Sequence, residues 1–219
     1  MLSTAPQPSL IYRPGIRTLP PGVEHYHILG AGSTIVPVRT GDSILLTDVE
    51  GGQTCEIAFC DASGRFDSAA LGARANSRGE GLKALLAEDG KNTQRTKAAL
   101  RRRNVDLGKA ETVCFFGEGT PSGATAEFKV KRDGVLIVAA PGAAMSPENQ
   151  DTATDIELRI TRSGKVADRA NILPEPMADP LQDIRIRACT AAAYLVRAGE
   201  YIQVIDVSGR QCTDFQALS

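Results

Sequence analysis

The stretch Val38-Arg-Thr-Gly41-Asp-Ser-Ile44-Leu-Leu-Thr-Asp48-Val-Glu-Gly51-Gly-Gln53-Thr-Cys-Glu56-Ile decides the reading of this chain, because the chain says it twice. The later copy reads Val196-Arg-Ala-Gly199-Glu-Tyr-Ile202-Gln-Val-Ile-Asp206-Val-Ser-Gly209-Arg-Gln211-Cys-Thr-Asp214-Phe. Gly199 lies 158 residues after Gly41, and Gln211 lies 158 residues after Gln53, so the copies align without a gap. Val38, Arg39, Gly41, Ile44, Asp48, Val49, Gly51 and Gln53 all recur, and Glu56 is matched in charge by Asp214. Self-similarity at a fixed offset marks a repeated structural unit, here the start of one.

The local chemistry of the phrase is legible. Each copy has a glycine, then a short apolar run (Ser43 to Thr47, Tyr201 to Ile205), then Asp-Val-x-Gly, then a second run beginning at Gln53 or Gln211. An Asp opening a turn can bond the backbone ahead of it, and a Gly closing it takes positive φ without a Cβ clash. The pattern predicts a β-hairpin with a tight connection. Asp48, Gly51, Asp206 and Gly209 read as turn formers. Gln53, Gln211, Glu56 and Asp214 sit on the outgoing strand, where alternate side chains face water or line a cleft. They are the candidate ligand-facing residues.

Bulk properties narrow the classes. A net charge of −1 offers no global field toward nucleic acid or an anionic membrane. No apolar run approaches the ~20 residues of a spanning helix. The first nine residues lack the basic start and apolar stretch of a signal peptide. Five cysteines, Cys55, Cys60, Cys114, Cys189 and Cys212, contain no Cys-x-x-Cys pair, which points to reduced thiols in a cytoplasmic protein. With no tryptophan and few aromatics, a stacking platform for single-stranded nucleic acid is not expected. The expected partner is a small molecule, without nucleic acid or membrane, and self-association is left open.

Taken in order, residues 1–22 are a Pro-rich extended arm. Within Gly22 to Gly30, His25 and His27 alternate with Tyr26 and Ile28, which reads as a strand with both imidazoles on one face. A His-x-His pair on a strand can hold zinc, but no third ligand lies at short spacing, so no metal site is assigned. Ser77 to Glu88 reads as a helix with Leu82, Leu85 and Leu86 inward, and a second helix follows to Arg103, capped by Asn92 or Thr93. Its Lys91, Arg95, Lys97, Arg101, Arg102 and Arg103 form a basic face, read as solvated rather than as a phosphate or RNA site. Runs at 112–116, 126–130, 135–140 and 155–160 read as strands. Cys114, within an apolar run, reads as a core residue rather than a nucleophile. The fold class is α+β, mainly antiparallel β as a sandwich or barrel, built from hairpins, with two short helices. The domain reading is an arm over 1–22, one unit over 23–185 that closes with a Pro-rich linker at 171–180, and the truncated start of a second copy over 186–219.

The motif Gly, Asp-Val-x-Gly-x-Gln, Asp-Phe resembles the opening of the urea-carboxylase-associated domain family. Residues Gly199, Asp206, Gly209, Gln211, Asp214 and Phe215 carry it fully, whereas the first copy carries Gly41, Asp48, Gly51 and Gln53 with Glu56 in place of Asp. The resemblance implies kinship with carboxyguanidine deiminases. It also implies kinship with long bacterial proteins that end in a folate-binding region like the glycine-cleavage T protein, an aminomethyltransferase. The resemblance implies a downstream His-Asp segment and loop cysteines in active members, whereas 60–180 here holds no histidine and the loop Pro141 to Met145 no cysteine. The expectation is therefore a divergent, non-catalytic scaffold or small-molecule-binding module of a larger nitrogen-metabolism enzyme, with no cofactor of its own. A hydrolase of ureido or guanidino compounds, and a piece of a tetrahydrofolate-dependent aminomethyltransferase, are the alternatives that the resemblance implies.

Overall fold

A computed structural model of the chain describes residues 22–88, 90–143, 147, 152–164, 176, 180–187, 189–206 and 212–218. Among them are eight strands: β1 (Val23–Ile28), β2 (Gly32–Val38), β3 (Ser43–Asp48), β4 (Cys55–Cys60), β5 (Val113–Phe115), β6 (Ala124–Lys129), β7 (Gly134–Ala140) and β8 (Ile156–Thr161). Two α-helices, α1 (Glu80–Ala87) and α2 (Gln94–Arg102), lie between β4 and β5.

The strands form two four-stranded antiparallel sheets, ordered β1-β8-β3-β6 and β2-β7-β4-β5. The period-2 alternation of β8 explains its place. Ile156, Leu158 and Ile160 point inward, while Glu157, Arg159 and Thr161 point to water. The inner faces meet in one apolar core that includes Ile44, Leu46, Ile57, Phe59, Leu136 and Val138. β4 and β7 are instead buried on both faces, and this accounts for the unbroken apolar run 135–140. Their outer faces, with Ile35 of β2, receive Leu82, Leu85 and Leu86 of α1 and Ala99 and Leu100 of α2. The result is three layers: sheet, sheet, helices.

The expected mainly antiparallel sandwich with two short helices is the observed fold, but the hairpin construction is not. β3 and β4, the two arms of the first phrase, belong to different sheets. Asp48 to Gln53 is therefore a corner that carries the chain from one sheet to the other. The reason is the core itself. Ile44 and Leu46 of β3 and Ile57 and Phe59 of β4 face one another across it, which two adjacent strands of one sheet cannot do. Of strands consecutive in sequence, only β4 and β5 pair, with the helices intervening. Strand β2 was not anticipated upstream of Val36. Its β-branched run is interrupted by Pro37, which an edge strand tolerates.

Of the second phrase, residues 196–206 and 212–215 form no strand and are largely exposed, while Gly209 and Gln211 lie outside the described residues. The Pro-rich arm, except Gly22, and most of the 171–180 linker also lie outside them.

One buried charge cluster ties the far end of the sandwich. Arg162, directly after β8, donates from Nε and Nη2 to the two oxygens of Glu24 on β1, each at 2.7 Å. Its Nη1 reaches Asp42 Oδ2 at 2.7 Å and the Pro37 carbonyl at 2.8 Å. Arg162 and Asp42 are both buried. Burial pulls the guanidinium pKa down, but the hydrogen bonds and charges of Glu24 and Asp42 outweigh it and hold it above its usual value. Replacing Arg162 by Ala strands Asp42 without its counter-charge. The expected cost is about 3–5 kcal/mol of unfolding free energy, read from a denaturant midpoint; a loss within about 0.5 kcal/mol contradicts this reading of the cluster.

Candidate functional site

Asp48 is fully buried at the end of β3, where its Oδ1 accepts from Gly51 N at 2.9 Å and its Oδ2 from Gln53 N at 3.0 Å. Gly51 has φ of +89°. A Cβ there would stand 2.7 Å from the Thr120 carbonyl oxygen and from Ser122 N, so only glycine fits under the crossing 117–123 loop. The turn chemistry read from the sequence is thus present, used for a corner instead of a hairpin.

Gln53 is a structural staple. Its Nε2 donates to the carbonyls of Thr54 and Pro141, and its Oε1 accepts from Thr154 N at 2.7 Å. Three loops are fixed by one amide, whose hydrogen-bonding capacity is turned inward. The structure places Gln53 in a loop junction and not on a ligand-facing strand.

Glu56 is different. It lies on the helix-facing side of β4, in register with Ala139 of β7 and Cys114 of β5. It is buried, and its Oε2 accepts from Leu82 N at 2.7 Å, in the first turn of α1. A carboxylate there satisfies an otherwise orphaned helix amide and complements the positive end of the helix. The close approach depends on Gly81. A Cβ on it would meet Pro141 at 2.8 Å and the Glu56 carboxyl carbon at 3.3 Å.

The other oxygen, Oε1, faces reactive side chains. The Ser77 hydroxyl lies 3.3 Å from it and the Cys114 thiol 3.7 Å. Asn76 fixes Cys114 by a reciprocal pair, Cys114 N donating to Oδ1 at 2.7 Å and Nδ2 donating to the Cys114 carbonyl at 3.2 Å. Cys114 is half-buried beside a charged partner, so the expectation of a plain core cysteine is corrected. Burial pushes its thiol pKa up, and the Glu56 charge adds to this against the opposing Ser77 hydrogen bond. Alongside lies an open hollow of about 530 Å³ lined by Ala75, Asn76, Ser77, Arg78, Glu80 and Glu111. Sequence reasoning missed Ser77 and Asn76. The only available signal was the polar Ala-Asn-Ser-Arg-Gly segment leading into α1.

The remaining candidates do not join this group. His27 Nε2 lies 2.6 Å from Asp155 Oδ2, and His25 is exposed on the same face. Among the described residues no three His, Cys, Asp or Glu side chains converge as metal ligands. Asp206 and Asp214 are exposed in the segment without strands. The inward positions of α2, Ala98, Ala99 and Leu100, are buried as expected, while Arg101 and Arg102 are exposed at its end. No described helix is long and apolar enough to cross a membrane.

No family model matches the chain. It is 44% identical over 214 residues to the trimethylamine-oxide aldolase of Ruegeria pomeroyi; this covers 98% of the chain but only 27% of that relative. The structure of a DUF1989 family protein from Silicibacter pomeroyi covers 73% of this chain and 85% of its own, at 12% identity and a TM-score of 0.40, too low to carry an argument. The relative's name is catalytic, which overturns the expectation of a non-catalytic module. Neither a hydrolase of ureido or guanidino compounds nor an aminomethyltransferase fusion matches it, and the urea-carboxylase label gains no support from it.

The Glu56–Cys114 contact has a chemical signature. Alkylation of Cys114 by iodoacetamide near pH 7.5 is expected to be several-fold slower than that of the exposed Cys189 and Cys212, because the thiolate is the nucleophile. Glu56→Gln removes the neighbouring charge and should speed labelling of Cys114 alone, read by peptide mass spectrometry. Unchanged labelling in that variant contradicts an electrostatic coupling of the two side chains.

Proposed function

We propose that this chain is part of an enzyme of the same kind as its trimethylamine-oxide aldolase relative. The observation that carries the reading is the 44% identity along 98% of the chain. An aldolase releases a carbonyl fragment. From trimethylamine oxide, C3H9NO, the carbonyl fragment that balances is formaldehyde, CH2O, and the remainder is dimethylamine, C2H7N. No water or oxidant is consumed.

In this reading the unit meets the small molecule at the hollow beside α1. The hollow is lined by Glu80 and Glu111 with one cation, Arg78, and Glu56 lies beneath it. Carboxylates around a concave polar surface suit a methylated amine that carries positive charge on nitrogen. Kinship with the urea-carboxylase-associated family stays a proposal resting on the motif, complete in Gly199, Asp206, Gly209, Gln211, Asp214 and Phe215 and partial in Gly41, Asp48, Gly51 and Gln53.

The test is to incubate the full-length gene product with trimethylamine oxide and follow formaldehyde and dimethylamine in equal amounts. Absence of both products sinks the aldolase reading. Glu111→Gln, at an exposed position, is expected to raise KM several-fold with kcat little changed. An unchanged KM with full turnover removes the substrate from this hollow while leaving the aldolase reading intact.

A further inference from the structure

The two copies of the phrase can be compared position by position. In the first, Arg39 to Asp42 form a tight turn. Asp42 N donates to the Arg39 carbonyl at 3.1 Å, Gly41 has φ of +88°, and Arg39 N donates back to Asp42 Oδ2 at 3.0 Å. In the second, Glu200 N donates to the Arg197 carbonyl at 3.1 Å, Gly199 has φ of +88°, and Arg197 N donates to Glu200 Oε2 at 2.7 Å. The turn is the same, down to the acid that reaches back to close it. Positive φ at the third position is the mark of a type II turn, and glycine is the residue that adopts it without strain.

The core positions agree as well. Val36, Val38, Ile44, Leu46 and Ile57 point into the first sandwich and are 0–2% exposed. At the same offset stand Tyr194, Val196, Ile202, Val204 and Phe215, all apolar and 36–60% exposed. These five inward positions of the first copy are therefore apolar in the second and uncovered there, while buried Cys55 is matched by Thr213. In the first unit the core around these positions is completed by side chains of strands that follow in sequence, Leu136, Val138 and Ala140 of β7 and Ile156, Leu158 and Ile160 of β8. The chain spans 27% of the aldolase relative's own length.

We propose that residues 194–215 are the opening strand, corner and strand of a second sandwich on the same plan, whose later strands, carried on the same polypeptide, cover these five apolar positions. Asp214 then stands where Glu56 stands, on the face of its strand turned to that unit's helical layer, one methylene shorter. Glu200 stands where Asp42 stands. The inference does not rest on which reaction the protein performs.

Hydrogen exchange on the full-length gene product and on residues 1–219 tests it. Amides of 201–205 are expected to exchange about a hundredfold more slowly in the full-length protein than in 1–219, with 43–47 protected alike in both. In the full-length protein, Ile202→Asp should abolish protection of 201–205 and leave 43–47 unchanged. Equal exchange of 201–205 in both chains overturns the proposal, as does a gene product ending at Ser219. Protection in 1–219 that grows with concentration also overturns it, because a second copy of the chain is then the cover. Failure here leaves the aldolase assay untouched, and the converse holds.

Discussion

A single buried carboxylate holds the corner at which this chain passes between its two sheets. Asp48 closes β3 by holding the amides of Gly51 and Gln53, while its own carbonyl accepts from Gly123 N at 2.8 Å. The corner it builds sends the chain out of one sheet and into the other. Buried backbone amides without partners are costly, so the geometry is held on both sides of the turn. With β3 and β4 facing across the core, the inward residues of both strands can be apolar throughout. β4 can then be buried a second time beneath the helices, and only there can Glu56 meet the first turn of α1.

The far end of the sandwich is closed by a different device. Asp42 accepts from Arg39 N, from Ser163 N at 2.8 Å and from Arg162, so one residue joins the β2–β3 turn to the end of β8. Glu24, held bidentately by Arg162, also accepts from Tyr26 Oη at 2.7 Å. A planar guanidinium suits such a junction because its donors diverge in fixed directions. The polar residues of the phrase thus divide by task. Asp42 and Asp48 set the path of the chain, Gln53 pins three loops, and Glu56 is the member left facing a thiol and a hydroxyl.

Much of the architecture was legible in the chain. Alternation of His25, Tyr26, His27 and Ile28 and of 155–160, the apolar run 135–140 and the leucine spacing of 82, 85 and 86 each gave the observed element. The Asp-x-x-Gly turn was legible too, but its use was not. A local turn pattern does not say whether its arms pair or face each other; that depends on β6, β7 and β8, far along the chain. For the same reason Gln53 read as facing either water or a cleft and is instead a staple, since its partners Pro141 and Thr154 are 88 and 101 residues away. Glu56 was singled out, but Cys114 was assigned to the core, because half-burial beside a carboxylate arises only when β5 pairs with β4.

Proton–proton contacts across the strands test most directly whether Asp48 to Gln53 is a corner between sheets. In isotopically labelled protein, nuclear Overhauser contacts should join the backbone of Leu46 to Ala126 and to Leu158, and that of Ala58 to Ile137. Contacts between the backbones of Leu46 or Thr47 and those of Cys55 or Glu56, as in a closed hairpin, would contradict it.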